Sequence, residues 1–178
     1  MILVIRRILA VLAACGLIAG VFAYLGSYVG TTMDSLFRWA IILHIGIFIL
    51  LLPMYALDYE AVKGRTFFWK GFSQGMPKWI VPTITLLGVF FGIHFFLFLI
   101  QSHAASPEIK NGEYVLNNHA NIVKVLTQRE YFSLQGAELR LFATGWIFFY
   151  FVLATYWWFP RNREPVSAVA PGTRTTNS

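Results

Sequence analysis

Four long apolar segments, separated by shorter polar stretches, set the pattern of this chain. A helix needs about 20 apolar residues to cross the hydrocarbon core of a bilayer. Segments of this length fall at about residues 8–29, 36–57, 79–100 and 141–159. The pattern predicts an all-α integral membrane protein in which residues 1–160 form a four-transmembrane-helix bundle. The remaining residues, 161–178, are rich in Pro, Ser, Thr and Gly, a composition that predicts a disordered tail.

The polar stretch between the third and fourth segments, residues 101–140, carries its own structural signals. Tyr114–Leu116 and Ile122–Val125 read as two short strands around an Asn-rich turn, which predicts a β-hairpin. Thr127 and Glu130 then match a capping box, the signature of a helix start. We therefore predict a small extracytoplasmic β-hairpin followed by a helix that runs into the fourth span. Residues 108–138 form either a structural cap or a docking surface for a protein partner.

The distribution of charge predicts how the spans are oriented. Only 12% of the residues are charged, about half the share of a soluble domain. The net charge of +6 arises from Lys and Arg that flank the spans, which argues against a nucleic-acid-binding face. Nine of the 14 basic residues lie on one predicted side, namely Arg6, Arg7, Lys63, Arg65, Lys70, Lys78, Arg161, Arg163 and Arg174. The positive-inside rule then places both termini in the cytoplasm, and we expect a bacterial inner (plasma) membrane.

The single cysteine, Cys15, excludes an internal disulfide and any paired-cysteine redox or zinc motif. Leu12–Cys15 matches a lipoprotein cleavage box, but apolar sequence continues well beyond it. We therefore favour an uncleaved spanning helix over a lipidated leader.

Small residues recur at helical spacing in the first span. Gly16 with Gly20, and Gly26 with Gly30, each form a GxxxG pair, a spacing that lets two helices approach closely in a membrane. The neighbour is either another span of this chain, which we favour, or a second protein.

Two histidines lie inside apolar spans, where an ionisable side chain is costly and points to function. His44 lies six residues, about 9 Å, below Arg38, and His94 lies seven residues, about 10 Å, below Gln101. Both therefore fall at one depth. Counting along the other two spans brings Tyr24 and Thr144 to the same level.

Three interpretations of these four residues at one depth are open. His44, His94, Tyr24 and Thr144 could form a polar layer that hydrogen-bonds the helices together. His44 and His94 could instead ligate a b-type haem. A proton-relay, quinone or metal role is the third, although two histidines without a carboxylate or thiol make a weak metal site, so we predict no metal ligands.

No motif for catalysis or nucleotide binding occurs, and no Asp or Glu falls within a predicted span. We therefore predict a small, non-enzymatic accessory or interaction subunit of a membrane assembly, with the lipid bilayer and a protein as its partners. The alternative is a small membrane b-type cytochrome with haem on His44 and His94. A weaker alternative is a carrier or binder of a small apolar molecule.

Overall fold

The computed structural model describes residues 2–57, 75–103, 105–118 and 121–159. The predicted tail, 161–178, and most of the basic loop after the second span lie outside these ranges and stay predictions. Within the described ranges the chain is mostly helical, with a small antiparallel sheet. The elements in order are α1 (Ile2–Gly26), α2 (Met33–Leu57), α3 (Ile80–Ser102), β1 (Ser106–Lys110), β2 (Glu113–Asn118), β3 (Asn121–Val125) and α4 (Gln128–Trp158).

Helix α4 lies at the centre, and the other three helices pack on it. Helix α1 runs antiparallel to α4, because Gly16 contacts Tyr150 while Ser27 lies near Gly136. At the far end of this pair, the Arg6 guanidinium lies over the Trp157 ring, 5.8 Å from its centroid.

Helices α2 and α3 run in opposite directions beside α4. Leu43 accepts a hydrogen bond from Tyr150, and Leu50 accepts one from Trp157, so α2 runs parallel to α4. Helix α3 runs antiparallel, and Phe91 stacks on Phe148 with ring centroids 6.3 Å apart.

Among the described residues, three helices are long and apolar enough to cross a membrane, whereas the sequence predicts four. They are Leu3–Gly26, Ile80–Ser102 and Gln128–Trp158. The corresponding part of α2 is a shorter apolar stretch, Arg38–Met54. The chain thus has the character of a membrane protein. The span predicted at residues 36–57 stays a prediction.

The sheet confirms the predicted hairpin and adds a strand that the sequence analysis missed. Strands β2 and β3 form the hairpin, and β1 pairs with β2 on the other side, in the order β1-β2-β3. The missed strand is joined to β2 through Asn111 and Gly112, whose φ angles are 53° and 84°. Both central residues of a type I′ hairpin turn require positive φ, which explains the Asn-Gly pair.

One face of the sheet packs on the start of α4, which begins as predicted. Leu116 and Leu126 form a small core with Tyr131 of α4. The capping box is present: Glu130 N donates to Thr127 Oγ1 at 3.2 Å, and Thr127 N donates to Glu130 Oε2 at 2.8 Å. The sheet is therefore fixed to the helix at its first turn.

Helix α4 is continuous through Gly136 and contains 31 residues, a length of about 46 Å. The hydrocarbon core is only about 30 Å thick, so part of α4 projects beyond it. Charged residues are confined to the first 13 positions. We call residues 128–140 the α4 extension and treat 141–158 as the membrane-embedded part.

Candidate functional site

Tyr24 of α1 and His94 of α3, two residues of the predicted polar layer, lie in contact with each other. His94 Nδ1 lies 3.0 Å from the Phe90 carbonyl oxygen, which can only accept, so Nδ1 carries the proton. In a neutral imidazole the other nitrogen is then an acceptor. The Tyr24 hydroxyl lies 3.4 Å from His94 Nε2, so in this tautomer the hydroxyl is the donor. The Phe90 carbonyl oxygen and the Tyr24 hydroxyl thus fix the tautomer of His94, because each contacts one of its two ring nitrogens.

Two residues that the sequence analysis did not select extend this pair. The hydroxyls of Tyr28 and Tyr24 lie 2.9 Å apart, and the Arg140 guanidinium lies over the Tyr28 ring at 5.2 Å. The spacing of four residues between the tyrosines was a usable signal. Arg140 carried no such signal, because it is more than a hundred residues away in sequence.

The structure does not bring His44 or Thr144 into this group. The His44 ring contacts Phe48 and Phe142, whereas the ring neighbours of His94 among the described residues are Tyr24 and Phe90. His44 is exposed and forms no hydrogen bond within the described residues. Thr144 is buried, but its hydroxyl bonds to carbonyls of its own helix. The contacts therefore join two of the four expected residues.

The two predicted glycine pairs have different environments. A Cβ on Gly16 would collide with the Tyr150 ring, and one on Gly20 would lie 3.3 Å from Ile147, so the first pair packs within the chain. Gly26 ends α1, whereas Gly30 lies beyond it with a φ of 94° and no neighbouring atom within 4 Å of a Cβ. This second pair lies at the turn into α2, where a Cβ on Gly26 would lie 3.0 Å from Thr31.

An apolar groove of about 700 Å³ opens between α1 and α2. Gly16, Ala19 and Ala23 leave space on the α1 side, and Trp146 and Tyr150 of α4 also line the groove. Small residues on α1 therefore serve two purposes, since those facing α4 permit close packing and those facing α2 leave a cleft. A volume of this size lies within the usual range for ligand pockets.

A polar junction ties α2, the α4 extension and β1 together. Tyr131 donates to Asp34 Oδ2 at 2.7 Å, and Asp34 N donates to Gln135 Oε1 at 3.3 Å. The buried Gln135 side chain also donates to the Pro107 carbonyl oxygen at 3.3 Å. These bonds satisfy the polar groups of the buried Tyr131 and Gln135 side chains, which burial would otherwise penalise.

Two carboxyl groups of the α4 extension have displaced pKa values. Hydrogen bonds from Lys124 and Thr127 lower the pKa of Glu130 to about 2. Burial raises the pKa of Glu138 to about 7, and the charge of Asp34 adds to this effect. Glu138 is therefore expected to titrate near neutral pH.

The face of the sheet that is turned away from α4 carries exposed apolar side chains. Val125 pairs with Val115, and Ile122 pairs with Asn117, so both lie on the face opposite Leu116. Val125 is 60% exposed and Ile122 is 51% exposed. Val115 between them is buried, so the exposed apolar surface consists of Ile122 and Val125, and we call these two side chains the outer face.

Comparisons with protein-family models, with curated proteins and with solved structures gave no match to this chain.

Proposed function

We propose that this chain is a four-span membrane protein and a non-enzymatic interaction subunit of a membrane assembly, which binds an extracytoplasmic protein through the outer face of its sheet. The observation that carries the proposal is the exposure of Ile122 and Val125 on a small sheet that is held rigidly above the helices. Isolated exposed apolar residues are ordinary, but a grouped patch is typical of an interaction site.

The packing of α2 supports a fourth span. Asp34 contacts Tyr131 near one end of α4, and Leu50 contacts Trp157 near the other. Helix α2 therefore accompanies α4 for 16 residues, about 24 Å. Its 25 residues extend about 37 Å, which exceeds the thickness of the hydrocarbon core.

The basic residues support the proposed orientation. Arg6 and Arg7 stack on Trp157 and Trp158, with guanidinium-to-centroid distances of 5.8 and 4.2 Å. These contacts gather basic and aromatic side chains at the end of α4 opposite the sheet. Such residues are enriched at a cytoplasmic membrane boundary, which leaves the sheet on the extracytoplasmic side.

The attachment of the sheet supports a binding role, because a preorganised surface loses less entropy on binding. The Leu116–Leu126–Tyr131 core holds one face, and Lys124 forms an ion pair with Glu130 at 2.6 Å. Ile122 and Val125 take no part in these contacts and stay exposed.

Site-specific photocrosslinking in intact cells tests this role. A photoreactive residue at Ile122 or Val125 is expected to form an adduct with one protein. Ile109 is the matched control, because it is 58% exposed but pairs with Tyr114 and lies on the opposite face. We also expect Ile122→Ser with Val125→Thr to reduce recovery of that protein at least fivefold, with an unchanged amount of the chain in the membrane. Equal adducts at all three positions, or adducts with lipid alone, would contradict the proposal.

A further inference from the structure

We propose that the groove between α1 and α2 binds an anionic phospholipid, with one acyl chain lying along the groove and the phosphate at Arg38. The inference rests on the part of the proposed function that places α2 in the bilayer. It does not depend on a partner at the sheet.

The length and lining of the groove suit a hydrocarbon chain. The lining extends from Leu12 to Gly26 on α1 and from Leu36 to Leu50 on α2, about 21 Å on each helix. The lining is almost entirely apolar, as is typical of a site for an apolar ligand. An extended acyl chain matches a long, narrow and apolar groove of this kind.

The position of the groove also suits a lipid. One end lies at Gly26 and Leu36, beside the turn between α1 and α2. Trp39 lines this end and is 64% exposed, as is typical of a residue at the headgroup level. From there the groove runs about 21 Å towards the membrane centre, somewhat more than one leaflet of about 15 Å. An acyl chain enters a membrane at this level and in this direction.

Arg38 provides the charge that selects the headgroup. It does not itself line the groove, but it directly precedes the lining residue Trp39, is exposed, and makes no ion pair or hydrogen bond within the described ranges. A guanidinium binds phosphate oxygens through paired hydrogen bonds. The groove itself offers almost no polar surface, so recognition of the headgroup falls to this side chain.

Native mass spectrometry on the delipidated full chain, titrated with phosphatidylglycerol or phosphatidylcholine, tests the proposal. The wild type is expected to bind one phosphatidylglycerol and to prefer it over phosphatidylcholine. Ala19→Phe fills the groove and is expected to weaken binding at least tenfold. The control Ile18→Phe places the same ring at an exposed position that does not line the groove, and binding is expected to stay within twofold. Arg38→Gln is expected to abolish the preference for phosphatidylglycerol.

The single cysteine gives a second measurement that needs no substitution in the groove. Cys15 is exposed and lines the groove, so bound phosphatidylglycerol is expected to slow its alkylation by N-ethylmaleimide at least fivefold. Unchanged alkylation, wild-type binding by Ala19→Phe, or equal loss in Ile18→Phe would overturn the proposal. A crosslink from Cys15 to another protein would identify a different occupant. None of these results affects the crosslinking test at the sheet, so the two proposals fail independently.

Discussion

The ring of Tyr150 packs against Gly16 so closely that no β-carbon fits between α1 and α4. The hydroxyl of the same tyrosine donates to the Leu43 carbonyl oxygen at 2.7 Å. One side chain thus joins three helices, and its position depends on a residue without a side chain.

Gly16→Ala is expected to destabilise the protein by about 1–3 kcal/mol, because the added methyl group displaces the Tyr150 ring. Gly92→Ala is the control, since a Cβ on this helical glycine meets nothing within 4 Å, and alanine favours a helix over glycine. Thermal unfolding of both variants in the same detergent measures the difference. Equal destabilisation of the two would show that the contact with Tyr150 is not the cause.

Tyr131→Phe is expected to lower the free energy of unfolding by about 1–2 kcal/mol, because it removes a hydrogen bond to a carboxylate. Tyr114→Phe is its control: the Tyr114 ring lies 4.7 Å from that of Tyr131, and its hydroxyl makes no hydrogen bond within the described residues. Denaturant unfolding of the two variants should separate them. A loss of the same size in Tyr114→Phe would show that the hydrogen bond to Asp34 is not the cause.

The raised pKa of Glu138 predicts a stability that falls with increasing pH. An unfolded chain releases this proton near pH 4.5, whereas the folded chain holds it until about pH 7. Stability is therefore lost progressively as pH rises from about 4.5 to 7 and changes little from this group above that range. Unfolding measured at pH 5 and pH 8 should show a drop that is smaller in Glu138→Gln. An identical drop in both proteins would mean that another group is responsible.

Absorption spectra decide the haem alternative. We expect no Soret or α-band after expression with haem available, because His44 and His94 have separate neighbours and His94 Nε2 already contacts Tyr24. The opposite outcome is specific: bands that disappear in both His44→Ala and His94→Ala would establish ligation by the two imidazoles.

Local signals in the sequence predicted local structure well. Thr127 and Glu130 marked the start of α4, since both partners of a capping box lie within one turn. Asn111-Gly112 was an equally local signal for a hairpin and could have revealed β1. The strand was missed because Pro107 and Glu108 depart from the usual composition of strands.

The predicted common depth of His44 and His94 shows what residue counting does not predict. Counting residues gives the depth of a side chain in a predicted span, because each residue adds 1.5 Å. The direction in which it points around the helix axis depends on which helices are neighbours. His94 faces Tyr24, whereas His44 lies against Phe142, although both were predicted at one depth. Long-range packing also determined the groove and the junction at Gln135.

Helix α4 connects the sheet to the opposite end of the helices without interruption. The sheet is fixed to its first turn, and Trp157 and Trp158 lie at its other end, about 46 Å away. No proline interrupts the helix, so it has no built-in hinge to absorb a rotation. A tilt of about 5° imposed at the sheet moves the distant end by about 4 Å over this length. Arg6 and Arg7, stacked on those tryptophans, would be carried with it.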